Sequence, residues 1–392
     1  MSKRVAILTG GGDVPGLNMC IKSLVYQLID STYEPIGVRK GWQGMINYNP
    51  TDPSAYSEYF IELTKNMVRS IDRTPGSFLH SSRLDPRKLE PEQVPGFINA
   101  KDLEYFDLTD HILQVITALD FQAVIVLGDD DMLNYAAHLS QQGVPVVAIP
   151  KTIHNNILGT DYTLGFSTGL ARGVSLIHEL RALAGSREQI LVVETFAAQS
   201  GYSTLLMSWL AGADRTIIPE VEYDPEKLSY LLMQDKNQTP ANYAVLVATD
   251  GSHPEPAKLG KYGQLFAEKS GDVHQQLDIR GNGMLSSGLI AAKLVSHICG
   301  EEVISQPLTY MLRSGSPDGQ DLLGASNFAL TAVYLINQGS FGRMTAFVQE
   351  KMWTDVDLNL AVEGVKTIDV EDAYDSENYR PKLSLIWSIG NT

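Results

Sequence analysis

The chain has little with which to staple itself: among 392 residues only Cys20 and Cys299 are cysteine, far apart and in no metal-ligand or redox spacing. A disulfide scaffold and a zinc site are therefore excluded as organising principles. Positive charge is also scarce, with 30 Lys and Arg against 46 Asp and Glu and a formal net charge of -16. Nucleic-acid and anionic-membrane partners need a basic surface whose counterions can be released, so neither is expected. No apolar run approaches the roughly 20 residues that span a bilayer. The N-terminus opens directly on Arg4-Val-Ala-Ile-Leu8, without the zones of a signal peptide, and a cytoplasmic protein is expected. Low-complexity segments, repeats of 20 to 50 residues and Gly/Ser linkers are all missing, which predicts two lobes sharing an intimate cleft.

What is present is long enough for two domains with separate cores. Short β-branched runs alternate with amphipathic stretches: Val5 to Leu8 then Leu17 to Leu28, and Ala123 to Leu127 then Met132 to Gln141, with Val144 to Ile149 following. Each strand is continuously apolar, which suits a parallel sheet buried on both faces and predicts α/β architecture. Phe166 to Ala184 reads as a helix closed by Gly185; Ile190 to Val193, Arg215 to Ile218 and Tyr243 to Ala248 supply strands for a second α/β lobe. The apolar run Leu383 to Ile386 predicts that the C-terminal Trp387 to Thr392 packs on the smaller lobe.

Ligands of open parallel sheets bind at the carboxyl ends of strands, and that is where the unusual residues fall. Gly10-Gly-Gly-Asp-Val-Pro-Gly-Leu-Asn18 joins a strand to a helix, so its backbone N–H groups, Gly11 and Gly12 among them, can approach a phosphate. It could instead be a tight turn that merely needs glycine. Gly128-Asp-Asp-Asp-Met132 places three carboxylates in a row, which repel one another unless Mg²⁺ or a set of donors lies between them; an acidic helix start is the plainer alternative. Pro150-Lys-Thr-Ile-His-Asn-Asn-Ile157 gathers a cation, a hydroxyl, an imidazole and two amides within seven residues. Such density in a strand-to-helix connection points to function, and the imidazole of His154 suits proton transfer.

At these loops, and at Gly159-Thr-Asp-Tyr-Thr-Leu-Gly-Phe166, Ile218-Pro-Glu220 and Tyr310-Met-Leu-Arg-Ser-Gly-Ser-Pro317, the chain resembles the phosphofructokinase family, in matching order over roughly residues 4 to 345. The resemblance implies two α/β lobes with mainly parallel sheets and a cleft between them. It gives residues 1–165 plus about 314–350 to a larger donor-binding lobe, and 166–313 plus about 351–392 to a smaller substrate-binding lobe. It also implies a homodimer or homotetramer. Asp131 and Lys151 match the residues that the family's pyrophosphate-dependent branch carries where ATP's α-phosphate would lie. Asp130 would be the Mg²⁺-linked carboxylate, and Gly11, Gly12, Arg73 and Arg83 would join Asp131 and Lys151 around a pyrophosphate or nucleotide. Thr152, Glu194, Phe196, Glu220, Tyr310 and Arg313 would face the sugar phosphate.

The chain departs from the family pattern where phosphoryl transfer happens. The family's Thr-Ile-Asp-Asn-Asp reads Thr152-Ile-His-Asn-Asn156 here, so His154 and Asn156 replace two carboxylates. The Met-Gly-Arg motif reads Phe196-Ala-Ala198, which removes a guanidinium. Asp129 stands where a glycine normally lets phosphate approach, and Met132 replaces a Ser or Thr. By looser alignment, Gln189 and Ile304 lie where the family often has arginines that reach across a subunit interface. An arginine at such a site is worth about 10³ to 10⁵ in rate and a general base roughly 10² to 10⁴. The expectation is therefore a neofunctionalised protein that keeps the cleft, with His154, Asn155, Asn156 and Lys151 as its catalytic set. Glu194, Asp214, Arg215 and Glu220 stand available beside that set. The ligand is expected to be a nucleoside, nucleotide or sugar phosphate. Two alternatives stay open: a non-catalytic regulatory subunit forming a heteromer with an active paralogue, and a pyrophosphate-dependent 6-phosphofructokinase with His154 as base.

Overall fold

The structure is a computed structural model that describes residues 3–98, 104–197, 199–267 and 286–382. Ala198, the C-terminal run from Leu383 to Ile386 and the residues of Trp387 to Thr392 lie outside the described residues. The chain divides into two compact units, 1–169 with 313–365 and 170–312 with 366–392.

The first unit is built on a seven-stranded sheet of β1 (Lys3–Thr9), β2 (Tyr33–Val38), β3 (Phe60–Glu62), β4 (Phe121–Gly128), β5 (Val146–Pro150), β10 (Arg343–Val348) and β11 (Met352–Asp357), in the order β11-β10-β5-β4-β1-β2-β3. The five inner strands run parallel, while β3 and β11 cap the edges antiparallel. Nearly every residue of β1 and β4 is buried, as expected of strands covered on both faces. The pairing of β11 with β10 places residues 351–365 with the first unit, where the sequence had suggested the second. The helix Leu17–Asp30 buries Leu17, Cys20, Ile21, Leu24, Val25 and Leu28, an i, i+3, i+4, i+7 stripe. Truncating one of these leucines to alanine would cost about 2–5 kcal/mol, because a packed core closes poorly over the lost volume.

Three neighbouring strands, β1, β4 and β5, deliver the three polar loops to the carboxyl end of this sheet. Their ends are locked in register: Thr9 lies beside Leu127 and Gly128 beside Pro150. The Gly10 N–H continues the ladder to the Leu127 carbonyl (3.1 Å), and the Lys151 N–H does the same to the Gly128 carbonyl (2.9 Å). Loops distant in sequence are thereby held side by side.

The second unit carries a four-stranded, fully parallel sheet of β6 (Ile190–Thr195), β7 (Arg215–Ile217), β8 (Ala244–Thr249) and β9 (Val303–Pro307), ordered β7-β8-β6-β9. The helix Phe166–Arg187 runs through Gly185 instead of stopping there. Glycine inside a helix costs only roughly 0.5–1 kcal/mol against alanine, and the turn is made later, by Glu188 at φ 54°. The Gln189 N–H then closes on the Ala184 carbonyl at 3.1 Å.

Candidate functional site

The glycines of the first loop are required by what lies against them. A Cβ on Gly10 would stand 2.1 Å from Met132 Cε, one on Gly11 1.9 Å from Asp129 Oδ2, and one on Gly12 1.5 Å from Arg313 Nη1. Gly11 also sits at φ 78°, where glycine is favoured. Alongside runs the segment Ser81–Arg83: the Ser82 carbonyl accepts from the Gly11 N–H (2.9 Å), and the Ser81 hydroxyl donates to the Gly11 carbonyl (2.7 Å). Arg83 Nη2 lies 3.1 Å from where a Gly12 Cβ would be. Arg73 is exposed and faces Asp72 at 3.7 Å.

Asp129 occupies the N-cap position of the helix Asp130–Gln141, yet its side chain makes no cap hydrogen bond. Its Oδ2 instead accepts from the Gly12 N–H at 3.0 Å, across to the first loop. Its Oδ1 is buried and accepts nothing among the described residues. The next two carboxyls, Asp130 and Asp131, are pushed above the usual carboxylate range, first by burial and then by the neighbouring acids, with Arg83 opposing. Lys151 is 1 % exposed and donates from Nζ to the Gly12 carbonyl at 2.6 Å. Burial lowers its pKa, while the negative charge of Asp129 works in the other direction.

In the third loop the side chains divide by task. Asn155 is fully buried at φ 54°, a conformation asparagine adopts more readily than most residues, and its amide donates to the Asp161 carbonyl at 2.8 Å. It holds the turn. Thr152 accepts from the His154 N–H (3.2 Å), and its carbonyl accepts from the Thr163 hydroxyl (2.6 Å). Asn156 is half-buried, with no partner for its Oδ1 among the described residues. His154 Nε2 lies 3.5 Å from Arg313 Nη2. A guanidinium can only donate, so this contact is a hydrogen bond only in the tautomer that carries its proton on Nδ1.

A small cavity beside the loops is lined by Gly11, Trp42, Arg83, Asp129, Asp131 and Tyr135, among others. Trp42 is wholly buried edge-on to Tyr135, and its indole N–H has no acceptor among the described residues.

In the second unit the carboxylates Glu194, Glu220 and Asp214 accept from backbone N–H groups of other residues. Glu194 is 4 % exposed and accepts from the Gly288 N–H at 2.5 Å. Glu220 accepts from the Gly201 N–H at 2.8 Å, and burial raises its pKa. Asp214 accepts from the Val245 N–H at 2.7 Å. Arg215, expected to be available, is instead locked to Asp235 by two hydrogen bonds of 2.5 and 2.8 Å and donates to the Asn378 carbonyl at 2.7 Å. Tyr310 is 65 % exposed, with Phe196 edge-on to it at 5.7 Å. Gln189 donates to Glu302, and Ile304 pairs with Leu191 in the sheet.

Among the described residues no group of three or more His, Cys, Asp or Glu forms a metal-holding cluster. The half-buried Asp130, between Asp129 and Asp131 at a helix start, fits a Mg²⁺ that arrives on ligand phosphates and takes one protein carboxylate, not a cation held by a protein cage. Such an ion would supply charge neutralisation. No helix among the described residues is long and apolar enough to cross a membrane.

A family model described as Phosphofructokinase matches residues 4–336. The chain is 29% identical over 371 residues to the ATP-dependent 6-phosphofructokinase 3 of Streptomyces coelicolor, covering 93% of this chain and 96% of that protein. It is 32% identical over 375 residues to the pyrophosphate–fructose 6-phosphate 1-phosphotransferase of Dictyoglomus thermophilum, covering 95% and 97%. The pyrophosphate-dependent phosphofructokinase of Nitrosospira multiformis superposes with a TM-score of 0.74 at 14% identity, over 100% of this chain and 93% of that one.

Proposed function

The chain belongs to the phosphofructokinase family, and from that premise we propose that it binds a phosphorylated sugar or nucleoside and acts on it through His154, without being an ordinary 6-phosphofructokinase. One observation carries the reading: His154 Nε2 lies 3.5 Å from Arg313 Nη2, in the loop where the family resemblance places a carboxylate base. The loop carries a different proton acceptor from the family's, while its own Lys151 and the distant Arg313 both stand against Gly12. A neutral base whose ordinary pKa lies near neutrality suits proton transfer at physiological pH. Asn156 supplies no charge to organise a metal, so the phosphoryl-transfer apparatus is incomplete.

The test is turnover with fructose 6-phosphate, Mg²⁺ and either ATP or pyrophosphate, beside thermal unfolding against a panel of sugar and nucleoside phosphates. Turnover at least about a hundredfold below the roughly 1–100 s⁻¹ of kinases is expected, together with a ligand from the panel stabilising the fold by about 2.7 kcal/mol at 100 times its dissociation constant. Ordinary kinase turnover would overturn the reading. The buried Lys151, and Asp131 in the first turn of the helix Asp130–Gln141, favour a second reading, a pyrophosphate-dependent 6-phosphofructokinase with His154 as base. Under it, pyrophosphate would support turnover, ATP would not, and His154→Ala would remove about 10² to 10⁴ of the rate.

A further inference from the structure

We infer that the Asp129 carboxylate is a built-in occupant of the anion seat in the glycine loop, so that a phosphate reaches this loop only by displacing it. The inference rests on the reading of Gly11 and Gly12 as a phosphate-binding loop, and goes beyond it by naming the residue that sets which anions the loop accepts.

Four observations converge within the first unit. The Gly12 N–H, a donor that a phosphate oxygen would need, is already given to Asp129 Oδ2 at 3.0 Å. The space opened by the missing Cβ of Gly11 is filled by the same carboxylate, whose Oδ2 lies 1.9 Å from where that Cβ would be. Asp129 stands at the start of the helix Asp130–Gln141 but does not cap it, so the ordinary structural reason for an aspartate at that position is absent. The negative charge of Asp129 opposes the lowering that burial imposes on Lys151, the buried lysine at the seat, as an incoming anion would. The carboxylate thus reproduces the charge and the hydrogen bond of a ligand phosphate.

The fit is incomplete, and that makes it displaceable. Asp129 Oδ1 is buried without a partner among the described residues, so this occupant leaves part of its own desolvation uncompensated. An incoming phosphate offers more acceptor oxygens to Gly12, Lys151 and Arg83 but must first move a like charge aside. A neutral side chain at 129 would lose the repulsion, and a short one would lose the steric obstruction as well.

The experiment is calorimetric titration of inorganic pyrophosphate, with Mg²⁺ present, into the wild-type protein, Asp129→Asn and Asp129→Ala. Pyrophosphate should bind D129A at least tenfold more tightly than wild type, with D129N between them because the amide keeps the shape and loses the charge. Equal or weaker binding by D129A would overturn the inference, and so would no pyrophosphate binding by any of the three. If D129A fails to fold, the comparison of D129N with wild type decides alone, tighter binding supporting the inference and unchanged binding sinking it. Ordinary kinase turnover by the wild type would remove the functional reading while leaving these binding ratios to stand or fall separately.

Discussion

Two carboxylates in the first unit have opposite hydrogen-bond economies. Asp321, near the start of the helix Gly319–Gln338, is fully buried, and both of its oxygens are satisfied. Oδ1 accepts from the Tyr162 hydroxyl and the Gly165 N–H (2.8 Å), and Oδ2 from the Thr168 N–H (2.8 Å) and hydroxyl (2.5 Å). Asp129 has one donor and one orphaned oxygen. The contrast teaches that burial alone does not identify a functional acid: a fully served carboxylate ties loops to a helix, whereas a half-served one against a ligand loop is poised to be replaced.

The largest effect is expected at the knot. Asp321→Ala leaves four buried donors without an acceptor and should cost about 3–5 kcal/mol in denaturant unfolding. Tyr162→Phe removes one of the four and should cost about 1–2 kcal/mol. Asp129→Ala, in contrast, surrenders one hydrogen bond and relieves one orphaned oxygen, so its stability should stay within about 1 kcal/mol of wild type. A loss at Asp129 as large as that at Asp321 would erase the distinction.

A smaller effect is a pH dependence. Burial and the neighbouring acids raise the Asp130 carboxyl, so between its ordinary value and its folded one the folded protein holds more protons than the unfolded chain. Stability contributed by this group therefore falls as pH rises through that window and is flat above it. Asp130→Asn should gain on wild type as pH rises from about 4. A difference independent of pH would show that Asp130 is not perturbed. Protons also compete with any Mg²⁺ at this carboxylate, so Mg²⁺-dependent ligand binding should weaken as pH falls through the same window.

Much of the fold was legible from local pattern. The continuous apolar runs placed β1, β4 and β5 of the first sheet and β6, β7 and β8 of the second but not β2, β3, β9, β10 or β11, and the loops at Gly10, Gly128 and Pro150 were recognisable because glycine and polar density interrupt buried strands. Helix closure at Gly185 was misread because a helix interior tolerates glycine at a small cost, and only the backbone shows that Glu188 makes the turn. Asp321 and the Arg215–Asp235 pair were missed for a different reason. Their partners lie far off in sequence, 153 to 159 residues from Asp321 and 20 from Arg215, and no periodicity reports such meetings. Asp129 was noticed as a side chain in place of glycine, but its bond to Gly12, 117 residues away, follows from strand order and not from spacing.

Hydrogen exchange at the Gly12 amide, followed by NMR with and without pyrophosphate, tests most directly whether Asp129 sits in the phosphate seat. Slow exchange in the wild-type protein, fast exchange in D129A, and slow exchange again in D129A once Mg²⁺ and pyrophosphate are added are the predicted results. A Gly12 amide that exchanges freely in the wild type, or that is equally protected in D129A without ligand, would contradict the account.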